Sequence, residues 1–499
     1  MLPTSSLLGI VAAISVGTDL GNGRPPETAM KITRRALRYA AALPARVDTT
    51  VVVWAGLLRF AGCVSTSPEE ASFGGDDLAL RSALLFADFT SPRDLALHLG
   101  TARYVPSGAG PIDIADFAQR GPRIAPGVLA AHCEVAVALA RRLGFGGAVL
   151  ASIAAYHERF DGGGPAGVVG DALPIASRLL AVAQCAELHS DHSAEELRSL
   201  LRARAGGWYD PTVVALALAD PAPIETSPWA ELEAASSAPQ PGASALQVPA
   251  LLRVLGDWAD LKSPFFAGHA GAVARVAATV ARSEGEDADI LAAAAAVHDV
   301  GRVGIPNSVW DHTGPLDAAQ RARAHTHVSI AGTILSRIPN IEAVRRLVAT
   351  HHERLDGSGY PSAFEGAMLP RAARLLAAAD AWVSLRQRRP HRHAFNDLEA
   401  VEALRHDVAA GRLDGRAVGA VLDAAGLAIP APALPNGLSE REVEVLSLVA
   451  RGLTNKEVGG KLSISPRTIQ QHTLRIYRKI GVSTRAAAAL FAAEHDLVS

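Results

Sequence analysis

The chain is 499 residues long, more than one ordinary domain holds at about 100–200 residues each. Hydrophobic residues make up 49% and charged residues 20%, which excludes a largely disordered chain. Forty-eight basic against fifty acidic side chains leave a net charge of −2, so the whole molecule is no nucleic-acid polycation and any basic footprint is local.

Aromatic residues are only 5% while alanine is abundant, a balance that favours tightly packed helices over sheets. Cys63, Cys133 and Cys185 form no C-x-x-C pair, which argues against a disulfide framework or a cysteine-based zinc site and for a reducing compartment. The N-terminal apolar run, Leu7 to Val16, falls short of the ~18 residues a bilayer span needs, and no basic residue precedes it. A cytoplasmic protein with no membrane partner is expected.

In chain order, residues 1–220 read as a first helical domain. Residues 221–247 read as an extended linker, marked by Pro221, Pro223, Pro228, Pro239 and Pro241. Residues 248–427 form a second helical domain, where Val273, Val276, Ala277 and Val280 make one apolar stripe and Ile330, Ile334 and Leu335 belong to another. A shorter joint at 428–437 holds Pro430, Pro432 and Pro435, and 438–499 forms the last domain. Strand-type alternation is nearly absent, so the fold class expected is all-α.

The two large segments repeat one another. HHERLDGSG at 351–359 is echoed by YHERFDGGG at 156–164, and LPRAARLLAAAD at 369–380 by LPIASRLLAVAQ at 173–184. His327 precedes His352 by 25 residues, and His132 precedes His157 by the same 25.

The second copy carries the candidate chemistry: His269, the pair His298-Asp299, His327, the pair His351-His352, and Asp380. Imidazoles and carboxylates in apolar helical surroundings are costly to bury unless something compensates them, and metal coordination does so. His312 and His325 read as ordinary core or surface histidines.

The run HDVGRVGIPNSVW (298–310), followed by HHERLDGSGYP (351–361) and an Asp after an apolar helix, resembles the HD-GYP family of metal phosphohydrolases over roughly 260–395. The resemblance implies a five-to-seven-helix bundle, two metal ions and hydrolysis of cyclic di-GMP. It would give His269, His298, Asp299 and Asp380 to one metal and His327, His351 and His352 to the other, with Asp299 bridging. Some members add a third metal through a Glu four residues before the first His; here that position is Phe265, so two are expected. A His-rich, carboxylate-bridged set favours iron or manganese, with zinc possible. Arg302 stands where the family usually has Lys, able to grip a phosphate oxygen but not to donate a proton. Asp299 and Arg302 are the catalytic candidates, and Arg302, Gly359, Tyr360 and Pro361 the substrate-binding ones. Val328 and His391 replace the usual Pro and Tyr.

The first copy lacks this site. Thr28 aligns with His269, Arg59-Phe60 with His298-Asp299, Tyr156 with His351 and Gln184 with Asp380, leaving only His132 and His157. It also carries about 44 more residues between Arg59 and His132 than separate their counterparts. A degenerate domain is expected, acting as scaffold, dimer surface or sensor.

Residues 464–485 hold Arg467, Arg475, Arg478, Lys479 and Arg485 and no acid. LSEREVEVLSLVARGLTNKEVGGKLSISPRTIQQHTLRIYRKIGVSTRAAAA (438–489) resembles the LuxR-type helix-turn-helix. Ser439 with Glu442 reads as a capping box, Thr454 caps the next helix, and Ser465 caps a third with Pro466 in its first turn. By the resemblance, the helix 466–479 enters the major groove of double-stranded DNA, with Arg467, Gln470 and Gln471 at base edges and Thr468 and Arg475 on phosphates. Gly459-Gly460 weakens the preceding helix by ~1 kcal/mol each.

Two tandem HD-type bundles and a four-helix LuxR-type domain thus imply a transcriptional regulator, expected to be a homodimer in the manner of LuxR-type proteins, coupled to a dinuclear phosphohydrolase. The competing reading is a non-enzymatic regulator whose pocket senses a nucleotide.

Overall fold

The computed structural model describes residues 4–73, 76–85, 113–220, 226–236, 247–427 and 435–495, with single positions 87, 95, 98–99, 224 and 497. Among these the chain is all-α, with only isolated bridges between extended residues. Residues 1–425 form one compact unit and 426–499 a second.

The duplication is visible in backbone detail. The helix Thr28–Ala42 opens after a left-handed Glu27, and its counterpart His269–Glu284 opens after a left-handed Gly268. The Asp19 carboxylate accepts from Ala29 N at 3.1 Å, as the Asp260 carboxylate does from Ala270 N at 2.9 Å. A Cβ on Gly62 would lie 1.9 Å from the His132 carbonyl oxygen, and one on Gly301 would lie 1.9 Å from that of His327. Both copies therefore cross their central turn over the same helix at a distance that only glycine allows.

The apolar run near the N-terminus lies in the helix Thr4–Gly21, whose residues from Leu7 to Val16 are buried. It is apolar all round because it is covered from both copies. Gly17 sits against Trp258 of the second copy, and Val52 and Val53 belong to the buried helix Thr49–Leu58 of the first. Trp258 Nε1 donates to the Ala61 carbonyl across the junction at 2.8 Å. Among the described residues, two other stretches could cross a membrane by length and composition alone, 49–71 and 115–142. The first is core of the bundle; the second is largely exposed and has Pro122 and Pro126 within it.

The stretch read as an extended linker contains a helix, Trp229–Ala235, with Leu232 fully buried. Arg34 pairs with Glu231 at 2.6 Å and ties this helix to the first copy. Pro221, Pro223, Pro239 and Pro241 lie outside the described residues, as do Pro430 and Pro432 of the second joint.

In the C-terminal unit four helices, Glu440–Ala450, Asn455–Leu462, Pro466–Ile480 and Arg485–Glu494, close around Val445, Leu446, Val458, Ile469 and Ile476. Capping boxes form at Ser439/Glu442 and Thr454/Glu457, and Ser465 caps the third helix through Thr468 N. Gly459 now has a reason: a Cβ there would meet the Ile464 carbonyl oxygen at 2.6 Å, in the turn between the second and third helices. Nothing in the structure explains Gly460.

Candidate functional site

Seven side chains converge in the second copy. His269 begins its helix, His298 and Asp299 close the helix Ala288–Val297, His327 begins His327–Leu335, His351 and His352 follow Glu342–Thr350, and Asp380 lies midway along Arg371–Arg386. They fall into two groups that share Asp299: His269, His298, Asp299 and Asp380, and Asp299, His327, His351 and His352. In each group the ligand atoms lie within 4.8 Å of one another.

The two oxygens of Asp299 face different groups. Oδ2 is 3.3 Å from His269 Nε2 and 2.9 Å from His298 Nε2, while Oδ1 is 3.3 Å from His327 Nε2 and 3.7 Å from His351 Nε2. Asp380 Oδ1 lies 3.2 Å from His269 Nε2.

Three of the histidines are oriented by their own helices. Nδ1 of His298, His327 and His351 donates to the carbonyl three residues back, of Ala295, Ala324 and Val348, at 2.6–2.7 Å. That bond keeps the proton on Nδ1 and aims the Nε2 lone pair inward. His327 and His351 consequently face each other Nε2 to Nε2 at 3.4 Å. His269 Nε2, His298 Nε2 and Asp299 Oδ1 are buried without a hydrogen-bond partner. Opposed lone pairs and orphaned buried acceptors are what a cation in each group would satisfy, so the residues fit divalent metal ions.

The acids and imidazoles of the two groups shift one another strongly. Burial works against charge on His298, but Asp299 and Asp380 outweigh it and push its pKa up to about 10. Burial would raise Asp299, yet Arg302 and His298 hold it well below the usual carboxylate range. Burial pulls His351 down to about 4, with His298 and His327 adding to the effect.

Arg302 is buried beside this carboxylate and pairs with Asp299 Oδ2 through Nη2. Its guanidinium lies 4.2 Å from the centroid of Phe266, and its Nε and Nη1 have no partner. Tyr360 stacks at 3.6 Å on His325 and leans on His352 at 4.8 Å, so His325 has a specific role as its platform. Gly359 and Pro361 share its loop.

Three residues that sequence reasoning missed support the site. Glu353 is buried and accepts from Ser362 N at 2.7 Å and Phe364 N at 3.0 Å, which pins the loop carrying Tyr360. Gln387 Oε1 accepts from His269 Nδ1 at 2.9 Å, doing for this histidine what a helix carbonyl does for the others. Arg389 donates to the Phe265 carbonyl at 2.7 Å and to Ser384 Oγ at 3.2 Å.

In the first copy the equivalent space is filled. Phe60 meets Tyr156 edge-on at 5.2 Å, the buried Arg59 guanidinium lies 4.4 Å from the Phe60 centroid, and Gln184 Nε2 donates to Tyr156 Oη at 3.5 Å. His132 bonds Thr66 Oγ1 at 2.8 Å. Among the described residues no metal-binding group forms there.

On the third helix of the C-terminal unit, Ile469, Ile476 and Ile480 face the core while Arg467, Gln470, Gln471 and Arg475 are exposed. Thr468 is half-buried and its hydroxyl bonds Ser465 Oγ at 2.7 Å. Of the basic cluster, Lys479 pairs with Glu442 at 2.6 Å and Arg485 donates to the Val449 carbonyl, so these two are used within the unit.

Comparison with known proteins gives a family for each of the two regions. Residues 253–417 match the HD domain family, and residues 436–492 match bacterial regulatory proteins of the luxR family. The chain carries an HD domain and a LuxR-type domain. HD phosphohydrolases bind divalent metals, and a LuxR-type domain implies DNA binding. The 3'3'-cGAMP-specific phosphodiesterase 3 of Vibrio cholerae is 26% identical over 415 residues, 79% of this chain and 89% of that protein. The cyclic di-GMP phosphodiesterase response regulator RpfG of Xanthomonas campestris is 34% identical over 155 residues, 30% of this chain and 41% of that protein. A crystal structure of a cyclic GMP-AMP-specific phosphodiesterase from V. cholerae superposes with a TM-score of 0.53 at 23% identity, covering 85% of this chain and 98% of that one. That likeness shows that the two chains share a fold over both copies.

Proposed function

We propose that the HD domain is a dinuclear metal phosphodiesterase acting on 3',3'-cyclic dinucleotides, joined to a LuxR-type domain that binds operator DNA as a dimer in the cytoplasm. One observation carries the catalytic part: two ligand groups share the single carboxylate of Asp299, one oxygen to each. His269, His298 and Asp380 would hold one ion and His327, His351 and His352 the other, with iron or manganese favoured over zinc. Such a pair, when bound, supplies an activated water and a clamp on the oxygens of an in-line phosphoryl displacement. Arg302 presents two unpartnered N–H groups beside Asp299 and grips a phosphate oxygen, and the Tyr360 loop, pinned by Glu353, borders the substrate.

Cyclic di-GMP is the substrate to which the family resemblance alone points. The relative matched over both copies is named for the mixed GMP-AMP dinucleotide, which makes that compound the first to assay beside cyclic di-GMP. Purified protein is expected to contain two metal ions per chain and to linearise at least one of the two. Metal-loaded protein that leaves both intact would overturn the enzymatic reading.

One observation favours a sensor instead: Arg302 already neutralises Asp299, a role that a metal would otherwise fill. Substitution separates the readings. Arg302→Lys is expected to retain or raise kcat, because an ammonium also grips phosphate and can give up a proton. Arg302→Ala should lower kcat by about 10²–10³-fold, as loss of a preorganised donor does. Under the sensor reading neither variant turns over substrate.

For DNA, Arg475 is assigned to a phosphate and Arg467, Gln470 and Gln471 to base edges, with Thr468 on the phosphate side of its cap. Arg475→Ala should weaken binding to all sequences alike and flatten the slope of log affinity against log salt by about one. Gln470→Lys should instead change which sequence is preferred. Anisotropy titrations at several salt concentrations, on operator and scrambled duplexes, distinguish the two outcomes. A sequence-dependent loss with Arg475→Ala would reverse its assignment.

A further inference from the structure

Beside the metal-binding groups lies a cleft of about 320 Å³, lined by Pro264, Phe265, Ala267, Gln387 and Arg388. That volume is at the lower end of the ~300–1,000 Å³ typical of small-molecule sites. The cleft touches the centre directly, because Gln387 in its wall is the residue bonded to His269. The half-buried Phe265 ring belongs to the short turn Pro264–Phe266 that leads into His269, and Arg389 holds this turn by its bond to the Phe265 carbonyl. The exposed guanidinium of Arg388 lies over the ring, 5.7 Å from its centroid. An aromatic ring and a planar cation thus line the same cleft, Phe265 four residues before His269 and Arg388 next to Gln387, the hydrogen-bond partner of His269.

These are the elements of a base-stacking site. An aromatic face accepts any nucleobase, and a guanidinium can cover the base from the other side. We propose that this cleft holds one nucleobase of the cyclic dinucleotide, stacked on Phe265 after the exposed Arg388 side chain moves off the ring to cover the base, while a phosphodiester lies at the metal-binding groups. Phe265 thereby has a positive role at the position where a third metal's ligand is absent. The proposal rests on the cyclic-dinucleotide reading above.

The test uses the full-length chain with two probes, 3',3'-cGAMP and cyclic di-GMP. Equilibrium dialysis on metal-free protein gives a Kd, and kinetics on the metal-loaded protein give kcat/KM relative to bis(p-nitrophenyl) phosphate, which has no base. Phe265→Ala is expected to raise the dinucleotide Kd by about ten-fold or more and to lower the kcat/KM ratio by a similar factor, mostly through KM. Phe265→Trp should keep both within a few-fold of wild type, since it restores a stacking face. Arg388→Ala should weaken binding less than Phe265→Ala. Dinucleotide affinity that survives Phe265→Ala, or an equal loss in Phe265→Trp, overturns the cleft assignment alone. Wild-type protein that cleaves bis(p-nitrophenyl) phosphate but neither binds nor cleaves a dinucleotide overturns the substrate reading, and this assignment with it.

Discussion

Asp299→Ala is expected to yield a folded protein that retains neither metal ion and has lost cyclic-dinucleotide hydrolysis by about a thousand-fold or more. The reason is geometric. Asp299 is the only side chain common to both ligand groups, with Oδ2 toward His269 and His298 and Oδ1 toward His327 and His351. Its removal takes a ligand from each group at once and leaves Arg302 beside the remaining histidines without its counter-charge. Asp380→Ala touches only the first group and should lower the content from two ions to about one. Metal analysis of both variants, with circular dichroism as the check on folding, reads this difference. Two ions and full activity in Asp299→Ala would sink the bridging assignment.

Five of the seven candidate ligands lie in local motifs legible in the sequence, the HD pair, the HH pair and the Asp closing a repeated block. His269 and His327 stand alone and are singled out only by the family resemblance and, for His327, by the repeat spacing. The supporting residues were not legible. Gln387 acts on a histidine 118 residues away, and only the fold brings the two together. Glu353 bonds backbone N–H groups, which leave no trace in side-chain patterning. A signal for Glu353 did exist in the repeat. Glu158 occupies the same place in the first copy and accepts from Ala166 N at 2.7 Å, so the acid persists where the ligands were lost. What the two copies share is therefore structural, and what differs between them is chemistry. The helix Trp229–Ala235 escaped notice for another reason. Seven residues are too few for periodicity to show among prolines, and the burial of Leu232 is decided by tertiary packing.

The second large effect is expected at the junction of the two copies. Lys262→Met should destabilise the 1–425 unit by about 3–5 kcal/mol, the usual consequence of leaving one member of a buried ion pair alone. Lys262 and Asp77 are both fully buried and pair through Nζ and Oδ2. Asp77 also accepts from Asn307 N at 2.8 Å and faces Arg81 at 3.4 Å, and Arg81 pairs with Glu70. The four charges balance, so removing one cation leaves a buried excess of negative charge around Asp77. Asp77 belongs to the segment by which the first copy exceeds the second, and Asn307 lies in the run 298–310 that begins at His298-Asp299. The extra segment thus holds the stretch that follows Asp299, as expected if the first copy acts as scaffold. If that is its role, the double variant Asp77→Asn/Lys262→Met should recover most of the lost stability, because both charges leave together and the Asn carbonyl can still accept from Asn307 N. Urea denaturation followed by helix content measures the three midpoints. A Lys262→Met midpoint equal to wild type would show that the junction contributes nothing to stability, and recovery in the double variant without recovery of activity would assign Asp77 to positioning the loop as well as to holding the copies together.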